Sequence, residues 1–410
     1  MVKALKRVCL LILCLLLPLG APLASEEEPT AAEDLTAYCH LEAPKHVYIF
    51  QALKEHTHPI NERFNKGQII RVTWDENISP KWLCVQWAQM REGILLRQMD
   101  RNGNLIAEGT VPPYFNTPME LVDEASEAVL IAGEAGMIPE NISLYSSGVL
   151  PEPYHLWEDT PETLDYFVIA AHPDDDLLFM GAVNPVYSLE RGYRGAVAFV
   201  TTQSRRRVNE AENGVWTSGS RYRPIFLGFT DVIKATEQFR AVFNEDLVAL
   251  ALVRLFRQYR PKVVFTHDLD GEYGNWQHRV TASAAVEAYR LAADPSYDPQ
   301  STAEYGLWQV QKLYIHLYSE NPLVIEMDTP LDSLRGKTAF EVASEAYAKH
   351  VSQLARAHKM EGTDDELACN RFGMIAGQVE AGEDAFANIF ETPGQFLIRA
   401  CRRLYRAIQN

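Results

Sequence analysis

An all-β sandwich followed by an α/β unit built on a doubly wound, mainly parallel sheet is the architecture that this sequence predicts. Three observations carry the prediction. Between residues 38 and 148 the apolar residues fall in short β-branched and aromatic runs with few helical stretches, the texture of a sandwich. From Asp165 onwards, strand-like runs alternate with helix-length amphipathic segments, an order that builds a parallel sheet with helices on both faces. Two of those runs end in clusters of His and Asp, and the carboxyl edge of a parallel sheet is where ligands bind.

Taken in order, residues 1–25 read as an export signal. Lys3, Lys6 and Arg7 make a basic start, Val8 to Leu19 an apolar run, and Ala21 to Ser25 a small-residue exit. The apolar run is short for a signal-anchor, which needs about 20 residues to span a bilayer. Cys14 suggests a lipoprotein, but Leu13 stands before it where a small residue is expected. Cleavage is expected near Ser25, no later segment is long and apolar enough to span a membrane, and the mature protein is expected to be secreted or in the cell envelope.

An acidic linker over 26–37 leads to the sandwich, expected over 38–155, which ends in Leu150-Pro151 just before the second unit and resembles galactose-binding-like sandwiches. Its strands are expected at 46–50, 68–74, 82–87 and 128–132, with Asn102-Gly103 turning a hairpin between 94–99 and 105–107. The second unit runs over 160–410. Strands over 166–171, 196–201, 262–266 and 312–317 alternate with helices over 177–191, 244–258, 280–291 and 340–355, a Rossmann-like order. Residues 395–406 form an amphipathic tail helix with Arg399, Arg402, Arg403 and Arg406. It either touches an anionic cell surface or docks through Phe396, Leu397 and Leu404.

The formal net charge is -17, and losing the signal removes three basic residues. Nucleic acid is an excluded partner class, because phosphate binding needs a basic footprint. Of six cysteines, Cys9 and Cys14 leave with the signal. Cys39, Cys84, Cys369 and Cys401 remain, as two disulfides within the two units or as buried thiols. No CxxC spacing suggests a structural zinc site.

The chemistry sits at two strand ends. Residues 166–171 run into His172-Pro173-Asp174-Asp175-Asp176, and Val263-Val264-Phe265 into Thr266-His267-Asp268, followed by Gly271-Glu272-Tyr273-Gly274-Asn275-Trp276-Gln277-His278. Two strand ends presenting His, Asp and His can supply the three protein ligands of a hydrolytic metal site, with one position left for water. Pro173 fixes the turn, so Asp174 and Asp175 point apart, one towards metal and one towards water. The structural alternative for the acidic run is a cap opening the next helix.

AHPDDD, a distant GEYGNWQH and the intervening RVNE resemble the PIG-L family of zinc-dependent de-N-acetylases, over about residues 164–353. The resemblance implies His172, Asp175 and His278 as zinc ligands, although His₂Asp sites accept other divalent metals. It implies Asp174 as the base that takes a proton from water and as the acid that returns it to the amine. Tyr273 would polarise the amide carbonyl and stabilise the oxyanion. Arg207 and Glu210 match the family's Arg-x-x-Glu on the substrate side of the pocket. Asp268 matches an acidic position that orients His278 through its distal nitrogen.

Two departures bear on catalysis. Asp176 replaces the usual Glu and keeps the charge on a shorter arm. Asn275 replaces the first His of His-x-x-His; it donates a hydrogen bond but cannot shuttle protons near neutral pH. Gln277 stands where many members carry Asp. Among weaker candidates, His267 and His316 either line the pocket or serve as structural histidines. Arg205-Arg206-Arg207 either grips an anionic substrate or forms a solvated loop. Trp216 and Tyr222 either stack on a sugar or pack, and Asn77 and Asn141 begin N-x-Ser triplets.

The expected activity is removal of an N-acetyl group from an N-acetylated amino sugar, a GlcNAc-type glycan or glycoconjugate, with cell-wall glycan as a candidate contact. The alternatives are a carbohydrate-binding protein with a degenerate deacetylase domain, and an amidase acting on a non-sugar N-acyl substrate.

Overall fold

In the computed structural model the described residues are 30–43, 62–202, 204–232, 234–356, 359–389, 399 and 401. The expected export signal, the strand expected at 46–50 and nearly all of the expected tail helix lie outside them. Strands β1 (Cys39–Glu42), β2 (Ile69–Trp74), β3 (Trp82–Trp87) and β4 (Leu95–Met99) are followed by β5 (Leu105–Thr110), β6 (Asn116–Glu120), β7 (Glu127–Ile131) and β8 (Pro139–Tyr145). They make two antiparallel sheets, ordered β1-β2-β7-β4-β5 and β6-β3-β8. Ile70, Val72 and Leu130 of the first sheet join Leu83, Val85 and Ile142 of the second in one apolar core. The β4–β5 hairpin turns where Asp100 accepts the backbone N–H groups of Asn102 and Asn104, both at 2.8 Å.

A third, seven-stranded sheet contains β9 (Tyr166–Ala170), β10 (Gly195–Thr201), β11 (Ile225–Phe229), β12 (Val263–Thr266), β13 (Lys312–His316), β14 (Pro322–Val324) and β15 (Arg371–Gly377). Its order is β11-β10-β9-β12-β13-β15-β14. The chain steps outward from β9 through β10 to β11, then returns to the other side of β9 for β12 and β13, all in parallel. The direction of winding therefore reverses between β9 and β12, and a crevice opens at their carboxyl ends. Only β15, against β13 and β14, pairs antiparallel.

Helices α1 (Asp175–Leu178), α2 (Arg205–Ser218), α3 (Glu237–Val242), α4 (Glu245–Tyr259), α5 (Trp276–Leu291), α6 (Pro299–Tyr305) and α7 (Ala339–Tyr347) connect these strands. Side chains alternate across β9. Tyr166, Val168 and Ala170 pack with Phe179, Val183 and Val215, whereas Phe167 and Ile169 pack with Leu252 and Phe256 of α4 and Ala284 and Ala288 of α5. Gly195 is required where β10 passes the Tyr166 ring, because a Cβ there would lie 1.8 Å from Tyr166 Cζ.

Three expectations need correction. The helix expected over 177–191 breaks after α1 and resumes as a π-helical stretch over Asn184–Glu190; Pro185 lacks the amide that a continuous α-helix would bond. The helix expected over 340–355 starts at a capping box of Thr338 and Glu341 and ends at Tyr347, after which the chain buries His350. Arg205-Arg206-Arg207 opens α2 instead of forming a loop. Of the two readings of the cysteines, buried thiols hold for Cys84 and Cys369, and Cys39 and Cys84 sit in separate apolar clusters.

At the amino end of β9, buried Asp165 receives Lys262 Nζ at 3.0 Å and Arg194 Nε at 3.2 Å. Burial opposes its charge, but Arg194 and then Lys262 hold its carboxyl below the usual range. Asp165→Ala leaves Lys262 buried without its carboxylate, and is expected to cost about 3–5 kcal/mol. Guanidinium unfolding checks this; a loss below about 1 kcal/mol, the scale of an exposed pair, would remove the ion cluster from the account of stability.

Candidate active site

The carboxyl ends of β9 and β12 meet side by side, so residues distant in sequence converge. His172 Nδ1 lies 2.9 Å from Asp175 Oδ2 and 3.2 Å from His278 Nε2, and the Asp175 oxygen lies 3.2 Å from the same His278 nitrogen. Three lone-pair donors thus form a nearly equilateral triangle. A tetrahedral ion with bonds of about 2.0–2.1 Å spaces its ligands about 3.3 Å apart. The triangle fits such an ion, and the donor set of two imidazoles and one carboxylate suits zinc.

The outer nitrogens of both imidazoles are also held. His172 Nε2 faces Gln277 Oε1 at 3.1 Å and Asp231 Oδ1 at 3.4 Å. Gln277 in turn accepts the Val232 amide and donates to the Thr230 carbonyl, tying the loop after β11 to α5. His278 Nδ1 meets Glu272 Oε2 at 2.7 Å. Partners of this kind fix the ring and its tautomer.

Glu272, not Asp268, therefore orients His278. The same carboxylate receives His267 Nδ1 and His316 Nδ1, each at 2.8 Å, and the Asp268 amide at 3.1 Å. Burial opposes its charge, but His267 first, with His278 and His316, holds Glu272 well below the ordinary carboxylate range. His267, Glu272 and His278 also lie close enough to resemble a metal cluster. Their contacts are accounted for by N–H···O bonds, and His267 Nε2 accepts the Ala171 amide at 2.8 Å. His267 and His316, buried completely, are structural partners of this carboxylate.

Asp174 sits beside the triangle, buried, with φ of 128°, a conformation that L-residues adopt only under constraint. The constraint is Arg207, which donates to Asp174 Oδ1 at 2.9 Å and to the Pro173 carbonyl. Burial first, and then the Asp175 charge, push the Asp174 carboxyl up to about 7. Asp176 is raised well above its ordinary value by burial and then by Asp174 and Asp175, so the three consecutive acids do not carry three charges at neutral pH.

The remaining candidates fall as follows. Tyr273 stands half exposed at the mouth, its ring 5.4 Å from His278 and 5.8 Å from Phe179, with φ of 45°. Asn275 caps α5, its side chain accepting the Gln277 amide at 2.9 Å; an Asn is favoured at such a cap. Glu210 accepts the Ser352 amide at 2.8 Å and Arg206 Nε at 3.0 Å, so it braces α2 against the segment after α7. Asp268 contributes its amide to Glu272 and is half-buried. Trp216 stacks on His155 at 4.9 Å, and Tyr222 is buried; both pack the interior. Sequence reasoning missed Glu272 and Asp231. The signal for Glu272 lay inside GEYGNWQH, whereas Asp231 had none.

Residues 167–289 match the PIG-L family model, described as GlcNAc-PI de-N-acetylase. The chain is similar to 1D-myo-inositol 2-acetamido-2-deoxy-alpha-D-glucopyranoside deacetylase 1 of Frankia alni, 29% identical over 201 residues, which are 42% of this chain and 68% of that protein. The protein of the same name from Catenulispora acidiphila is 28% identical over 178 residues, covering 36% of this chain and 54% of its own. Among solved structures, N,N'-diacetylchitobiose deacetylase from Pyrococcus horikoshii shares 18% identity, with a TM-score of 0.36, over 47% of this chain and 71% of that one. The matched span includes all three corners of the triangle and their partners Asp231, Glu272 and Gln277.

Proposed function

We propose that this protein is an exported, metal-dependent hydrolase that removes the N-acetyl group from an N-acetylated amino sugar. The observation that carries the reading is the donor triangle of His172, Asp175 and His278 with a second carboxylate, Asp174, held beside it. The PIG-L match and two relatives named as deacetylases of an acetamido-deoxyglucopyranoside support the substrate class. The basic, apolar and small-residue order of 1–25 supports export. Among the described residues, no helix is long and apolar enough to cross a membrane.

A divalent ion such as zinc, bound by the triangle, would supply Lewis acidity that activates water and polarises the acyl carbonyl. The chain does the rest. Burial and Asp175 raise the Asp174 carboxyl up to about 7, and a bound cation would lower it from there; Asp174 takes the proton of the attacking water and returns it to the amine as the C–N bond breaks. Arg207 holds that carboxylate in place. Burial lifts the Tyr273 hydroxyl far above its ordinary value, so it stays protonated and donates to the oxygen that gains charge. Asn275 keeps α5, and with it His278, in register.

The test is acetate release by the zinc-loaded mature protein from N-acetylglucosamine, chito-oligomers and peptidoglycan fragments. Release that a chelator stops and added zinc restores is the expected result. No release from any of them, with zinc shown to be bound, would sink the substrate class.

A further inference from the structure

Helix α2 has two working faces. Arg205, Asn209 and Glu212 are spaced i, i+4, i+7 and share one; Arg207 and Glu210 lie about half a turn around. The first face meets the sandwich. Asn116 Nδ2 donates to Asn209 Oδ1 at 3.1 Å, Arg205 pairs with Glu140 and lies over the Phe115 ring, and Glu212 accepts Arg223, whose guanidinium lies over Tyr114. Asn116 and Glu140 occupy the same end of the β6-β3-β8 sheet, since Asn116 and Asn141 both pair opposite Gln86. Asn116 is 3% exposed and Glu212 2%, whereas Glu140, Arg205 and Asn209 are partly buried. The second face meets the catalytic turn through Arg207 on Asp174 and Pro173.

We infer that the three-stranded sheet of the sandwich is a positioning element for Asp174, acting through α2, with Asn116, Glu140, Arg205 and Asn209 as positioning residues. This rests on Asp174 being the proton-transfer group proposed above. The turn at Asp174 is strained and held from outside, so its geometry follows Arg207, and Arg207 follows the helix. A displacement of about 1 Å at a reacting group costs about a hundredfold in rate. The sheet is then part of the active-site framework, and removing or loosening it should be felt at a carboxylate that it never touches.

The test uses the full mature chain with Glu140→Arg, Arg205→Glu, the double swap, and Asn116→Ala as a variant that changes no charge. Hydrogen–deuterium exchange is read at amides 172–178, 205–218 and 263–266. Each single variant is expected to speed exchange at 172–178 and 205–218 by about tenfold while 263–266 stays protected, and the double swap to restore both. With N,N'-diacetylchitobiose as the probe substrate, kcat is expected to fall about tenfold at unchanged KM in the single variants and to recover in the double. Loosening confined to 205–218, with 172–178 as in the parent, would overturn the inference. Exchange needs no substrate, so absent acetate release would count against the proposed activity alone.

Discussion

Asp174→Asn is expected to lower acetate release by about a thousandfold while the protein still binds one equivalent of metal. The side chain lies outside the donor triangle and bonds to Arg207, so the triangle keeps its three donors. The amide cannot accept the water proton, which removes the base and, later, the acid. The pH dependence follows from the same group. Burial and Asp175 raise the carboxyl to about 7, and a bound cation beside it pulls that value down. The base works only when deprotonated, so kcat/KM should decline as pH falls through an acid limb lying below about 7, and the variant should lack that limb. Metal content by mass spectrometry and a pH–rate profile check both parts. Turnover near the parent rate would remove Asp174 from the mechanism.

Glu272→Gln should weaken metal binding by about 10–100-fold although Glu272 is no ligand in the triangle. Its two oxygens receive three imidazole N–H groups and one backbone amide. A carboxamide offers one oxygen and points its NH₂ at groups that are themselves donors. His267 cannot escape by moving its proton, because its other nitrogen already accepts the Ala171 amide. His278 then loses the partner that presents its Nε2 to the triangle. Stability should fall as well, by about 1–3 kcal/mol, for a buried donor left unmatched. Competition against a chromophoric chelator reads the affinity, with Asp268→Asn as the comparison that should leave it unchanged. If Asp268→Asn were the damaging change and Glu272→Gln neutral, the orienting role would belong to Asp268 after all.

How far the sequence reached follows from the range of its signals. Strand ends were legible because apolar runs of fixed length stop at polar clusters, which is why 166–171 and 262–266 agree with β9 and β12 to within about a residue or so. His172, Asp175 and His278 came forward partly because few residue types bind metal and partly through the resemblance of their motifs, and the structure brings the three together. Choosing between Asp268 and Glu272 was not a matter of residue type. The turn at Gly271, with φ of 68°, reverses the chain so that Glu272 points inward, and a Cβ at that glycine would meet the Asn275 carbonyl. Helix α2 escaped notice for another reason. Its apolar stripe is only Val208, Ala211 and Val215, and much of what it buries is polar, including Arg207, Glu210 and Glu212. Such a helix reads as a charged loop until both of its polar faces are seen to have partners.

The adjacency of β9 and β12 sets a timetable for the whole molecule. The triangle draws on residues 172 and 175 after one strand and on 278 after the other, and about a hundred residues, including β10, β11, β12 and helices α2 to α4, lie between Asp175 and His278. No local segment can gather the three donors, because closing so long a loop precedes any reward from the contacts it brings. Metal uptake at the proposed site would therefore be a late event, one that reports completed pairing of the sheet. A chain threaded through a membrane before folding would arrive empty and take its ion from the medium beyond, so the metal it carries would be decided by supply outside the cell.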